Sequence, residues 1–166
     1  MGEPAKSDQR GRKNPAAPPP GPPSDLLAAP GYGARRMYQA YLAAWNRHVD
    51  SVLTGPQFAV LSAVRAYPER DQSSLAGAVA LDTSTMADLC RRLESRGLIR
   101  RTESPRDARR KLLSLTDEGA AVLSEVNRRA RRLDRALLEG HDIDVAAMLN
   151  TLGARWEATA ARDDLD

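Results

Sequence analysis

Between Leu81 and Thr116 the chain reads LDTSTMADLCRRLESRGLIRRTESPRDARRKLLSLT, and most of its capacity for chemistry lies there. Guanidinium groups dominate: Arg91, Arg92, Arg100, Arg101, Arg106, Arg109 and Arg110, with Lys111 beside them. A guanidinium is a planar fork of donors that matches phosphate oxygens or the edge of a guanine. Just ahead of these arginines stand Thr83, Ser84 and Thr85, hydroxyl side chains short enough to allow close approach to a groove. Residues 82–111 hold nine Arg or Lys against five Asp or Glu, a net of +4, whereas residues 112–166 hold seven against eleven, a net of −4. The whole chain is only +3, so the basic excess is local, as a phosphate-binding surface requires. Catalytic parts are missing from the pattern: there is no Gly-rich phosphate loop, no nucleophile elbow, no Ser-His-Asp order in a suitable setting and no pair of carboxylates in an obvious cleft.

Local signals say what must position these groups. Asp82 is a good N-cap, and Met86, Leu89, Cys90 and Leu93 recur at the spacing of one buried helical face. The opposite face carries Ser84, Ala87, Asp88 and Arg91, flanked by Thr83 and Arg92. Gly97 suits a left-handed helix stop. Leu98-Ile99 and Leu112–Leu115 read as two short strands, joined through a turn at Ser104-Pro105-Arg106-Asp107. A groove-sized helix beside a basic hairpin is the layout of a winged helix-turn-helix.

The remaining segments read as helices. Gly33–Asp50 carries a stripe of Met37, Tyr38, Tyr41, Leu42, Trp45 and Val49. Thr54 and Gln57 form a capping box opening Pro56–Tyr67. Ser73 or Ser74 caps a short helix, Leu75–Val79, and both serines are candidates for DNA contact. Thr116 caps a long helix running to about Leu138. Ile143–Ala161 closes the chain with Val145, Met148, Leu149, Leu152 and Trp156 on one face. Residues 1–30 are rich in proline with almost no large apolar group before Leu26, and read as a disordered tail without a secretory core. No stretch approaches the roughly 20 apolar residues of a membrane span. One cysteine leaves no internal disulfide framework, and a cytoplasmic, nucleoid-associated protein is expected.

From Leu53 to Gly119 the order and spacing of LT-x-x-Q-x-x-VL, RLE-x-RGLI-x-R, the Asp-x-Arg of the hairpin tip and the LT-x-x-G close resemble the MarR family of bacterial transcription regulators. Within that family the chain most resembles the regulators of aromatic-acid catabolism. The resemblance implies a mainly α fold: a winged helix-turn-helix with a two-stranded wing over 53–119, flanked by dimerisation helices at 31–50 and 120–162. It also implies a homodimer whose recognition helices face successive major grooves of a pseudo-palindromic duplex operator, about 34 Å apart. Repression is the family-level expectation.

Under this reading Arg109 enters the minor groove, with Asp107 orienting its guanidinium. Ser84, Thr85, Asp88 and Arg91 are candidates for base contact, although pairing with Arg91 or Arg92 is the favoured role of Asp88. Arg92, Arg101, Arg106 and Arg110 would hold phosphates. A small aromatic or phenolic ligand is implied in a cleft by the first helix, where Tyr38, Tyr41, Trp45 and His48 can share one face. Some relatives set an arginine about two turns before the histidine to grip a carboxylate; Leu42 and Ala43 stand there, and Arg36 or Arg47 would have to substitute. The alternatives are aromatics packed in the core, a winged-helix protein-interaction module, and a regulator oxidised at Cys90. The place of Cys90 on the buried stripe favours packing. Two histidines and one cysteine offer no metal-ligand cluster, and no cofactor is expected.

Overall fold

The computed structural model describes residues 20–50, 52–105 and 107–162. The chain divides into two compact units at Met37/Tyr38. In the first, Ser24–Leu27 form a single helical turn (α1), within the segment expected to be tail; residues 1–19 of that tail lie outside the described residues. The next helix, α2, spans Pro30–His48 and opens earlier than the expected Gly33.

The second unit holds α2 from Tyr38 onward, then α3 (Gly55–Ala66), β1 (Arg70–Asp71), α4 (Gln72–Ala78), α5 (Thr83–Ser95), β2 (Ile99–Ser104), β3 (Asp107–Leu115), α6 (Asp117–Leu138) and α7 (Val145–Ala160). Side-chain caps start most of these helices. Thr54 and Gln57 exchange both capping-box bonds at the head of α3, with Pro56 in its first turn. Thr116 accepts from the Gly119 N–H to open α6, and Asp144 caps α7. Asp71 caps α4, which corrects the expectation of Ser73 or Ser74: the cap lies further upstream, and its carboxylate takes the Ser74 N–H at 3.0 Å.

The sheet has three antiparallel strands in the order β1-β3-β2, one more than the expected two-stranded wing. The added strand is only Arg70–Asp71, opposite Leu113 and Leu112. Two residues carry no alternation that a sequence could reveal. The β2–β3 hairpin also runs longer than its apolar ends suggested, pairing Ile99 with Leu115 and Ser104 with Asp107. Its outer part is polar and is held by the backbone ladder.

The core forms where α3, α5 and α6 meet the base of the wing. Val60, Leu61, Val64, Met86, Cys90, Leu93, Leu113, Leu123 and Val126 are fully buried there. Two glycines permit the close packing. Gly97 ends α5 at φ +69°, and a Cβ on Gly119 would sit 1.9 Å from the Leu98 carbonyl oxygen. The first turn of α6 therefore presses directly on Leu98, the residue that leads from the recognition helix into β2. Trp45 is buried against Phe58, and its indole N–H donates to the Leu53 carbonyl at 2.8 Å. Arg129 on α6 donates to the Val49 carbonyl at 2.9 Å, which fixes the end of α2. No described residue of α7 is buried, and Ile143, Met148, Leu149, Leu152 and Trp156 all stand exposed. No helix among the described residues is long and apolar enough to cross a membrane.

Candidate nucleic-acid interface

The recognition helix α5 begins on a dense cap. Asp82 Oδ1 accepts the Thr85 N–H at 2.8 Å and the Ser84 hydroxyl at 2.5 Å, while Oδ2 accepts the Thr85 hydroxyl at 2.6 Å. The Ser84 hydroxyl is the strongest of several bonds that hold this carboxyl well below the usual carboxylate range. With their protons committed to Asp82, both hydroxyl oxygens keep lone pairs for a donor such as a base amino group. Thr83 and Ser84 are exposed, as are Asp88, Arg91 and Arg92 further along. Asp88 forms an ion pair with Arg91 on the open surface, the role favoured for it from sequence. Arg92 and Ser95 line the same shallow cleft, which continues along the helix.

Wing residues fall into two groups. Arg109 is exposed near the start of β3, while Arg106 lies outside the described residues. Asp107 grips Arg109 through the backbone: its Oδ1 accepts the Arg109 N–H at 3.0 Å. That differs from the expected hold on the guanidinium and fixes where the strand starts. Lys111 bonds Glu103 across the hairpin at 2.7 Å, which lowers the Glu103 carboxyl. The second group reaches inward. The Nε of Arg101 donates to Glu94 on α5 at 2.6 Å, and the Nη2 of Arg110 donates to Asp71 at 2.5 Å. Both arginines thus brace the wing against the helix-turn-helix, a use that sequence reasoning missed together with both carboxylates. Asp71 offered one visible signal, an N-cap residue type three positions before Ser74; Glu94 offered none. Ser73 and Ser74 line a groove of about 470 Å³ with Arg109, Arg110 and Lys111, at the junction of α4 and the wing.

A second recess, about 620 Å³, is lined by Tyr38, Tyr41, Phe58, Ser62, Tyr67 and Leu81 with neighbouring small residues. No described residue lining it is Arg, Lys or His. Burial raises the Tyr41 phenol, with Asp134 and then Tyr38 adding to the shift, so its hydroxyl stays a neutral donor. Two of the expected ligand residues, Tyr38 and Tyr41, are brought together here. Trp45 is not, and its assignment as a ligand wall is corrected: it is 1% exposed, belongs to the core, and already spends its N–H on Leu53. His48 is exposed at the end of α2 and does not line the recess; Arg36 is exposed in the N-terminal unit. Cys90 is fully buried, and burial pushes its thiol up to about 11. That thiol is neutral and hidden, which argues against oxidative control.

The MarR family model matches residues 53–111, the stretch that contains α3, both helices of the helix-turn-helix, β2 and most of the wing. The PcaV transcriptional regulator from Streptomyces coelicolor, solved with its natural ligand, superposes with a TM-score of 0.78 at 39% identity over 84% of this chain and 99% of that one. The chain belongs to the MarR family. Among MarR-family relatives, the transcriptional regulator HosA of Escherichia coli O111:H- is 37% identical over 90 residues, 54% of this chain and 66% of HosA. The match thus spans just under two thirds of HosA's length. The MarR-family repressor CouR, solved on a 23-mer DNA duplex, superposes with a TM-score of 0.70 at 32% identity, covering 84% of this chain and 96% of that one.

Proposed function

We propose that this chain is a homodimeric, non-catalytic transcription regulator that binds a pseudo-palindromic duplex operator, acts as a repressor, and is released by a small aromatic or phenolic ligand. The observation that carries the reading is the exposed, Asp82-capped face of α5 standing beside a hairpin with cations along it. Thr83, Ser84, Thr85 and Arg91 take the base edges, Arg92 and Arg106 take phosphates, and Arg109 takes the minor groove. Support comes from two sides: CouR is a repressor bound to a DNA duplex, and PcaV binds a natural ligand in the same fold. The second copy supplies the cover for the apolar face of α7, because a stripe of that size left in water disfavours a monomer.

The ligand sits in the recess lined by Tyr38, Tyr41 and Tyr67, whose phenols offer hydrogen bonds around apolar walls. A carboxylate on that ligand would need its cation from outside the described lining, and His48, at the end of α2, is the candidate to test. A cytoplasmic, nucleoid-associated location follows from the DNA reading.

The test is binding to the duplex upstream of the protein's own gene across a salt series, with and without a panel of phenols and aromatic acids. The reading expects saturable binding whose logarithm falls linearly with log salt, and release by at least one compound. Salt-insensitive or absent duplex binding would move the chain to the protein-interaction reading.

A further inference from the structure

The inference rests on the DNA-binding reading and concerns a carboxylate buried inside an otherwise cationic surface. Asp71 is 8% exposed and serves three structures at once. Its backbone pairs β1 with Leu112 of the wing, its Oδ1 caps α4 through the Ser74 N–H, and its Oδ2 accepts both the Ser74 hydroxyl at 2.7 Å and the Arg110 Nη2 at 2.5 Å. Arg110 is 39 residues away in sequence and reaches Asp71 from the middle of β3. Its side chain nevertheless stays 56% exposed and lines the groove shared with Ser73, Arg109 and Lys111. One edge of the guanidinium is docked on protein and the remainder faces the groove.

We propose that Asp71 is a positioning residue that sets DNA specificity: it clamps Arg110 so that the wing and the first helix of the helix-turn-helix present their phosphate contacts at one fixed spacing. An unclamped arginine follows any phosphate within reach and binds all duplexes alike. A clamped one makes its bond only where a phosphate falls at the fixed position, so it rewards the duplex whose backbone path fits. The clamp also offsets one positive charge, which restrains binding to arbitrary duplex. The Asp71 carboxyl is held down to about 2, first by the Ser74 hydroxyl, with burial opposing and Arg110 contributing, so the clamp is charged throughout the physiological range.

The test uses the full chain, the duplex upstream of its own gene and a scrambled duplex of the same length and composition. Asp71→Asn removes the charge while asparagine keeps the helix cap. The clamp predicts that D71N weakens binding to the upstream duplex by about fivefold to tenfold and leaves the scrambled duplex unchanged or slightly tighter. In an Arg110→Ala background the same substitution should change neither duplex by more than about twofold, because the pair acts as one unit. Equal losses on both duplexes, or the same loss with and without Arg110, would overturn the clamp and leave Asp71 as a helix cap. Arg110→Ala alone is the second arm and leaves the cap intact; an unchanged ratio between the two duplexes overturns the proposal even where D71N fails to fold. If the unsubstituted chain binds both duplexes equally at every salt concentration, the operator reading fails together with this one.

Discussion

The winged unit and the C-terminal helix solve the same problem in opposite ways. Between Leu53 and Leu133 the apolar stripes of α3, α5 and α6 close on one another and on Leu113, and Leu61, Met86, Leu93 and Leu123 lose nearly all contact with water. In α7 the stripe of Met148, Leu149, Leu152 and Trp156 has the same periodicity and stays exposed among the described residues. Trp156 alone is 47% exposed, although burying an indole stabilises more than burying almost any other side chain. The contrast separates a part whose apolar faces cover one another from a part whose apolar face stays open, the face that the proposed dimer would cover.

The strongest way to break this comparison is to charge the uncovered stripe. Leu152→Asp with Trp156→Asp is expected to give a monomer by sedimentation, to keep the helical circular dichroism of the winged unit, and to lower operator affinity by about 100-fold or more through loss of bivalence. Loss of the fold itself would show that α7 belongs to the core. Next in size, Gly119→Ala attacks the covered part. The added methyl must displace the Leu98 carbonyl, and a loss of about 1–3 kcal/mol in chemical denaturation is expected, with dimerisation of the folded fraction unchanged.

Smaller again is Ala80→Gly, in the turn of the helix-turn-helix. Ala80 sits at φ 53°, a conformation that opposes its Cβ, so glycine should raise stability by about 0.5 kcal/mol once the freer unfolded chain is counted. A clear loss would mean that Ala80, which lines the recess beside Tyr38 and Tyr41, contributes more through its methyl than the backbone costs.

Two titrations sharpen the account further. Asp71 is lowered to about 2 from an ordinary 3.8, so its contribution to stability is fully present above pH 4 and is lost as pH falls toward 2. In denaturation between pH 5 and 2, D71N should lose less stability than the unsubstituted chain; parallel curves would contradict the bond network drawn around Asp71. Cys90 is raised to about 11 from 9.0, so the thiol stays protonated when folded and destabilises the fold only in alkali, where the unfolded thiol ionises first. Iodoacetamide should modify native Cys90 only as fast as the chain opens, and peroxide should leave DNA binding unchanged. Rapid modification with loss of DNA binding would restore the oxidation reading.

These results also mark which parts of the molecule a sequence can disclose. The recognition helix was legible because everything that specifies it is local: the Asp82 cap, the Met86–Leu93 stripe and the Gly97 stop lie within one segment. The Asp88–Arg91 pair was legible for the same reason. Asp71–Arg110 and Glu94–Arg101 were not, because each joins residues that meet only after the hairpin folds back on the helices. The strand at Arg70–Asp71 is two residues long and has no period to detect. Trp45 shares a helical face with Tyr38 and Tyr41 by spacing, yet Phe58 and the Leu53 carbonyl claim it for the core. Helical spacing puts residues on one face; which of them reaches solvent is set by what packs opposite.

The most direct measurement of the central claim is a hydroxyl-radical footprint of the full chain on the duplex upstream of its own gene, read together with the stoichiometry of the complex. A dimer of winged units predicts two chains per duplex and two protected blocks centred about ten base pairs apart, related by a pseudo-dyad. A single protected block with one chain per duplex would contradict it and leave the exposed face of α7 without the partner assigned to it here.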